Sequence, residues 1–149
     1  MGSKRNGIVT GYARMWPREI FDAKTGKTLL ARKIEFLKQS GVYILYRDEH
    51  PYYIGKSGES LFKRLRGHAI NPQKRYYNFW NLFSAFAVPD RNGRDELEGI
   101  LIAAMPTVNS AKPKLTKMKF PPEVSKLVKS LRASKIGPAL QKSVPRNAR

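Results

Sequence analysis

Seven residues of the 149-residue chain stand together as a set whose types could do chemistry: Tyr43, Tyr53, Lys56, Arg64, His68, Glu98 and Asn109. Among them are two phenols, a guanidinium, an imidazole and one carboxylate able to take a metal ion. That inventory suits hydrolysis of a phosphodiester. A divalent ion on Glu98 would offset phosphate charge, the fork of Arg64 would grip two phosphate oxygens, and a base would activate water. One carboxylate is a sparse site for Mg²⁺, yet Mg²⁺ commonly keeps several waters and takes oxygens from substrate phosphates. Singly, the residues have plainer readings. Tyr43 and Tyr53 suit half-buried strand aromatics, His68 a helix-border histidine, and Arg64 and Lys56 solvated salt-bridge partners. Residue types alone leave catalysis and simple nucleic-acid binding both open.

The elements that must position these side chains follow from local pattern. Gly41 to Tyr46 and Tyr52 to Gly55 are β-rich runs around the polar RDEHP, which predicts a hairpin with a loop of about five residues. Both runs are apolar or aromatic at consecutive positions, so the hairpin should be central with both faces covered. Ser57 to Ser60 supplies helix-start chemistry, and Asn71-Pro72 stops the helix. Leu61, Phe62, Leu65 and Ala69 form its apolar stripe, with Arg64 and His68 side by side along one border, neither fully solvated nor fully buried. Phe79 to Val88 reads as a third strand, Asp90 to Gly93 as a turn, and Arg94 to Met105 as a helix with Leu97, Ile100, Leu101, Ala104 and Met105 inward. Glu98 sits in that helix among Leu101, Ile102 and Met105, where a carboxylate needs a cation or a proton. Asp95 and Glu96 read as solvated or capping charges.

Outside this core the pattern is looser. Ile8 to Met15 is followed by a Trp16-Pro17 break, Gly26 reads as a turn between two short strands, and Leu30, Ile34 and Leu37 have helical spacing. Trp16 and Tyr12 read as core aromatics in preference to base-stacking platforms. Beyond residue 110, five prolines punctuate a Lys-rich text. One amphipathic helix over Glu123 to Leu131 and a disordered basic end after about Gly137 are expected there. The chain thus divides into a basic extension over 1–40 packed on the core, a core over 41–110, and a Lys/Pro-rich extension over 111–149.

Charge points to the partner. The excess of 29 Lys and Arg over 11 Asp and Glu leaves +18, in the range of nucleic-acid-binding proteins. Residues 1–40 carry +6, residues 41–109 +2 and residues 110–149 +10, so the flanks hold most of the grip. The absence of cysteine excludes disulfides and thiolate metal sites. With no run approaching roughly 18 apolar residues and no apolar stretch in MGSKRNG, neither a membrane partner nor a signal peptide is expected, and the localisation would be intracellular.

The same residues carry a resemblance. Gly41-Val42-Tyr43, then Tyr53-Ile54-Gly55, Arg64 and His68 on the next helix, Glu98 on a later one and Asn109 beyond it resemble the GIY-YIG nuclease family over about half of the chain, with Val42 in place of the middle isoleucine. The resemblance implies an α+β fold with a small central three-stranded antiparallel sheet flanked by helices. It implies a metal-dependent DNA endonuclease with one Mg²⁺ or Mn²⁺ ion bound by Glu98. Tyr43 would deprotonate water, with His68 sharing the role of base. Arg64 would stabilise the phosphate, Tyr53 would line the pocket, and Lys56 would touch the phosphate. Asn109 would tie a late loop to the site, while Gly41 and Gly55 serve close backbone approach or strand-end geometry. A non-catalytic nucleic-acid-binding module on this fold, or a nuclease acting on RNA, stays open.

Overall fold

The computed structural model describes residues 7–74, 77–109 and 112–135. Strand β4 (Gly41–Arg47) is its organising element. Its side chains alternate between two cores: Tyr43 and Leu45 enter one buried cluster, Val42 and Ile44 the other. Burying each such aliphatic side chain contributes about 1.5–3 kcal/mol, which fixes the register of β4 on both sides.

β4 pairs antiparallel with β5 (His50–Ser57) on one side and with β6 (Leu82–Ala87) on the other. A further strand, β1 (Gly11–Pro17), pairs with β6, so the sheet has four strands in the order β1-β6-β4-β5. The expected three-stranded sheet is therefore extended by the N-terminal segment. Within β1 the register shifts between Ala13 and Trp16, and Met15 adopts φ 53°, with its N–H donating to the Ser84 hydroxyl at 3.1 Å. This bulge turns Trp16 onto the core, against Phe36 and Phe83. Tyr12 instead is 65% exposed and stacks on Phe86, so it is not the core aromatic that the sequence suggested.

The hairpin is tighter than expected. The ladder continues through Arg47 and His50, leaving a turn of Asp48 and Glu49 in place of a five-residue loop. Asp48 takes a left-handed φ of 55°, which aspartate tolerates, and Asn81 braces it by accepting from its N–H and donating to its carboxylate. β5 lies at the sheet edge, so only the β4 half of the hairpin is central.

After β1, the short strands β2 (Lys24–Thr25) and β3 (Thr28–Leu29) pair around Gly26 at φ 63°, as its turn chemistry predicts. Two 3₁₀ turns, Leu30–Lys33 and Glu35–Lys38, replace a continuous helix, because Ile34 between them is extended. Helix α1 (Leu61–Ile70) starts at Ser60, whose hydroxyl accepts from the Lys63 N–H, and buries Leu61, Leu65 and Ala69 on the Tyr43 face of the sheet. Helix α2 (Arg91–Ala104) begins three residues earlier than its apolar pattern suggested, since Asp90 is an N-cap accepting from Gly93. Its residues Leu97, Leu101, Ile102 and Met105 cover Val42, Ile44 and Ile54, whereas Ile100 and Ala104 face outward.

Helix α3 (Pro122–Lys135) buries none of its residues. The expected C-terminal disorder lies outside the described residues. Among the described residues, no helix is long and apolar enough to cross a membrane.

Candidate active site

One half of the site is built where β4, β5 and α1 meet. Tyr43 lies opposite Gly55 in the β4–β5 ladder, and a Cβ on Gly55 would overlap the Tyr43 ring and hydroxyl. Glycine there lets the phenol lie across the edge strand. Gly41 answers a second close approach, because a Cβ on it would run into the Phe86 carbonyl. The buried Tyr43 hydroxyl sits 2.9 Å from Nε2 of His68, itself only 8% exposed. The Tyr53 ring packs 6.3 Å from that of Tyr43 and 6.1 Å from that of His68.

His68 is therefore buried, not half-solvated on a helix border, and Arg64 is exposed one turn before it. Burial, reinforced by the positive charges of Lys74 and Arg64, pushes the His68 pKa down to about 4. The imidazole is neutral at physiological pH. A neutral ring with its proton on Nδ1 accepts from the Tyr43 O–H through Nε2, the polarity a base requires. Nδ1 is buried without a hydrogen-bond partner among the described residues.

A cavity of about 600 Å³, whose walls include none of Tyr43, Tyr53 and His68, opens between the β5–α1 turn at Ser57–Glu59 and the α1 residues Lys63, Arg64 and Gly67, with Lys74 also on its wall. Three cations line it against one carboxylate, Glu59, which is paired with Lys63 at 3.0 Å. Its walls suit an anion.

The other half stands on α2. Glu98 is 17% exposed at its side chain, and the cation its apolar setting demands is Lys56 of β5, whose ammonium lies 3.6 Å away. Lys56 makes a closer pair with Asp95 at 2.6 Å. The hydrogen bond to Asp95 holds the Lys56 pKa above its ordinary value, with Glu98 assisting and burial opposing, and the same bond lowers Asp95. Asp95 is thus a solvated charge, as expected, that also pairs with Lys56, and the cap of α2 is Asp90. The available signal was its position three residues before Glu98, on the same helix face.

The two halves lie on opposite faces of the sheet. Tyr43 and Tyr53 belong to the cluster under α1, whereas Lys56 pairs in register with Val42, on the face that α2 covers. They share β5. The edge of that strand is held by Asn109, whose amide accepts from Ile54 N–H at 2.8 Å and donates to Ile54 C=O at 2.7 Å. Thr107 orients it by donating to its carbonyl oxygen at 2.9 Å. Asn109 acts as a one-residue strand partner, a structural task.

Among the described residues no three His, Cys, Asp or Glu side chains gather into a metal cage. The donor set on α2 is Glu98 with Asp95 as its neighbour. That fits an oxygen-seeking ion that retains waters, such as Mg²⁺, and does not fit a fully protein-ligated ion such as structural zinc.

No protein-family model and no curated protein matches the chain. The chain is similar to solved structures of the GIY-YIG N-terminal endonuclease domain of UvrC from Thermotoga maritima. The magnesium-bound domain aligns at 29% identity with a TM-score of 0.40, over 48% of this chain and 85% of that one. A point mutant of the same domain, bound to its catalytic divalent cation, aligns at 29% identity with a TM-score of 0.40, over 48% and 84%.

Proposed function

We propose that this chain is a GIY-YIG-type endonuclease that hydrolyses phosphodiester bonds of DNA with one divalent ion, Mg²⁺ or Mn²⁺. The observation that carries the reading is the buried Tyr43–His68 hydrogen bond, in which a phenol faces a neutral imidazole on the same helix whose Lys63 and Arg64 line a cationic cavity. A purely binding surface has no need of a buried, unprotonated histidine.

In this reading Tyr43 takes the proton of the attacking water while its own hydroxyl proton passes to His68 Nε2. The phenol thus acts as base without a lasting phenolate. Tyr53 packs both rings and holds them in place. Arg64 binds the non-bridging phosphate oxygens in its fork, with Lys63 and Lys74 adding positive potential along the cavity. Glu98 holds the metal, the rest of the coordination coming from water and phosphate oxygens. When bound, the ion supplies charge stabilisation at the phosphate. Lys56 is a second phosphate contact on the α2 side of β5. Residues 41–110 form the catalytic core, and the extensions, 1–40 at +6 and 111–149 with most of the remaining excess, clamp the DNA backbone.

The test is nicking of supercoiled DNA with Mg²⁺ or Mn²⁺ against matched RNA, for wild type and Glu98→Gln. Metal-dependent nicks that vanish in the variant while DNA binding persists support the reading. Salt-sensitive binding without product would make the chain a nucleic-acid-binding module, and cleavage of RNA alone would change its substrate.

A further inference from the structure

Lys56 stands between two carboxylates and treats them unequally. Its ammonium is 2.6 Å from Asp95 Oδ1, a charge-assisted hydrogen bond, and 3.6 Å from Glu98 Oε1, an ion pair that is longer than a hydrogen bond and leaves the carboxylate's charge compensated but its oxygens unbonded by the ammonium. The two acids are one helical turn apart on α2, so a single cation on β5 can visit either. Lysine has three donors on a flexible four-carbon stem, and nothing in its own chemistry selects one acid over the other.

We propose that Asp95 is a positioning residue that holds the Lys56 ammonium away from the Glu98 carboxylate, keeping that carboxylate available to a divalent cation. This rests on the reading of Glu98 as the metal ligand. An ammonium hydrogen-bonded to Glu98 would compete for the oxygen the metal needs, and a cation fixed on a nearly buried carboxylate is hard to displace. Asp95 provides the alternative. At 38% side-chain exposure against 17% for Glu98, it is the more solvated acid and the cheaper partner for a parked ammonium. The charges of Arg91 and Lys114 also favour its ionised form, so the parking place is negative whenever the ion arrives. Lys56 remains close enough to turn to a phosphate oxygen once substrate is present.

The test is a double-mutant cycle on the full chain, read as Mn²⁺ affinity by electron paramagnetic resonance without DNA, for wild type, Asp95→Asn, Lys56→Met and the double variant, with thermal melts confirming that each is folded. Asp95→Asn should weaken Mn²⁺ binding roughly threefold or more, Lys56→Met should not weaken it, and the Asp95→Asn loss should disappear in the Lys56→Met background. A loss of equal size in both backgrounds would make Asp95 a direct ligand and overturn the proposal, as would an unchanged Asp95→Asn affinity. A wild-type chain that binds Mn²⁺ no better than Glu98→Gln would instead defeat the metal reading of Glu98 itself.

Discussion

The α1 and α2 sides of β5 solve opposite problems. On the α1 side, Tyr43, Tyr53 and His68 pack into a small, uncharged aromatic group in which burial strips the histidine of its proton. On the α2 side, Lys56, Asp95 and Glu98 form an ion-paired cluster, each partly open to water. Burial keeps an imidazole unprotonated and able to accept, at the expense of its basicity; a metal or phosphate site must hold charge ready without neutralising it. Placing the two clusters on opposite faces of one edge strand lets each environment be tuned separately, with β5 the strand they share.

The sharpest way to break this division is to remove one function and look for loss in the other. Glu98→Gln should lower Mg²⁺-dependent nicking by roughly 10³-fold or more while leaving the Tyr43–His68 side folded. Single-turnover nicking beside a DNA-binding titration measures it; residual metal-dependent cutting at near wild-type rate would end the metal role. Tyr43→Phe, which deletes only the hydroxyl, should cost about 10²-fold in nicking without changing Mn²⁺ affinity. A drop in both would mean that the faces are not separable.

The neutral histidine has a consequence for stability. Its folded pKa near 4 lies below the ordinary 6.5, so between those values the unfolded chain binds more protons. The stability it contributes is fully present above pH 6.5 and is lost as pH falls through 6.5 to 4, amounting to roughly 3 kcal/mol. Urea unfolding at pH 7 and pH 4, for wild type and His68→Gln, isolates this share. Equal pH slopes for the two proteins would show that His68 is not held neutral by its surroundings.

What was legible in the sequence is what local chemistry writes there. The Ser60 cap and the misfit of Glu98 among Leu101, Ile102 and Met105 each concern neighbours within one or two turns, and the glycine at 55 concerns Tyr43 across a single hairpin. What was hidden depends on distant partners. β1 joins the sheet only because Gly11–Pro17 meets Leu82–Ala87 some 70 positions away, and no pattern inside β1 announces that pairing. Asp95 reads from its polar neighbours as a solvated or capping charge; with Asp90 as the cap it lies in the second turn of α2, and its pairing with Lys56 of β5 is what the local pattern does not show. The burial of His68 comes from the lid of Tyr43 and Tyr53, two residues on other elements. The tightness of the Asp48 turn likewise depends on Asn81, far along the chain.

Asn109 offers the mildest test, aimed at the strand the two sides share. Its side-chain amide closes both backbone bonds of Ile54, and Ile54 itself is buried at 1% exposure, next to Tyr53 and two positions before Lys56. Asn109→Ala leaves that N–H and C=O without their partner at a buried position, at a cost of about 1–2 kcal/mol. Val108 still donates to the Tyr52 carbonyl, so the loop stays attached and the chain stays folded. Loosening β5 should then weaken Mn²⁺ affinity and slow single-turnover nicking by similar small factors, since Lys56 on that strand is freer to leave Asp95 for Glu98 and Tyr53 on it is freer to leave Tyr43 and His68. Hydrogen exchange at Ile54 would report the loosening directly. If exchange quickens while only one of the two activities falls, β5 is not the common frame, and the faces are positioned independently by α1 and α2.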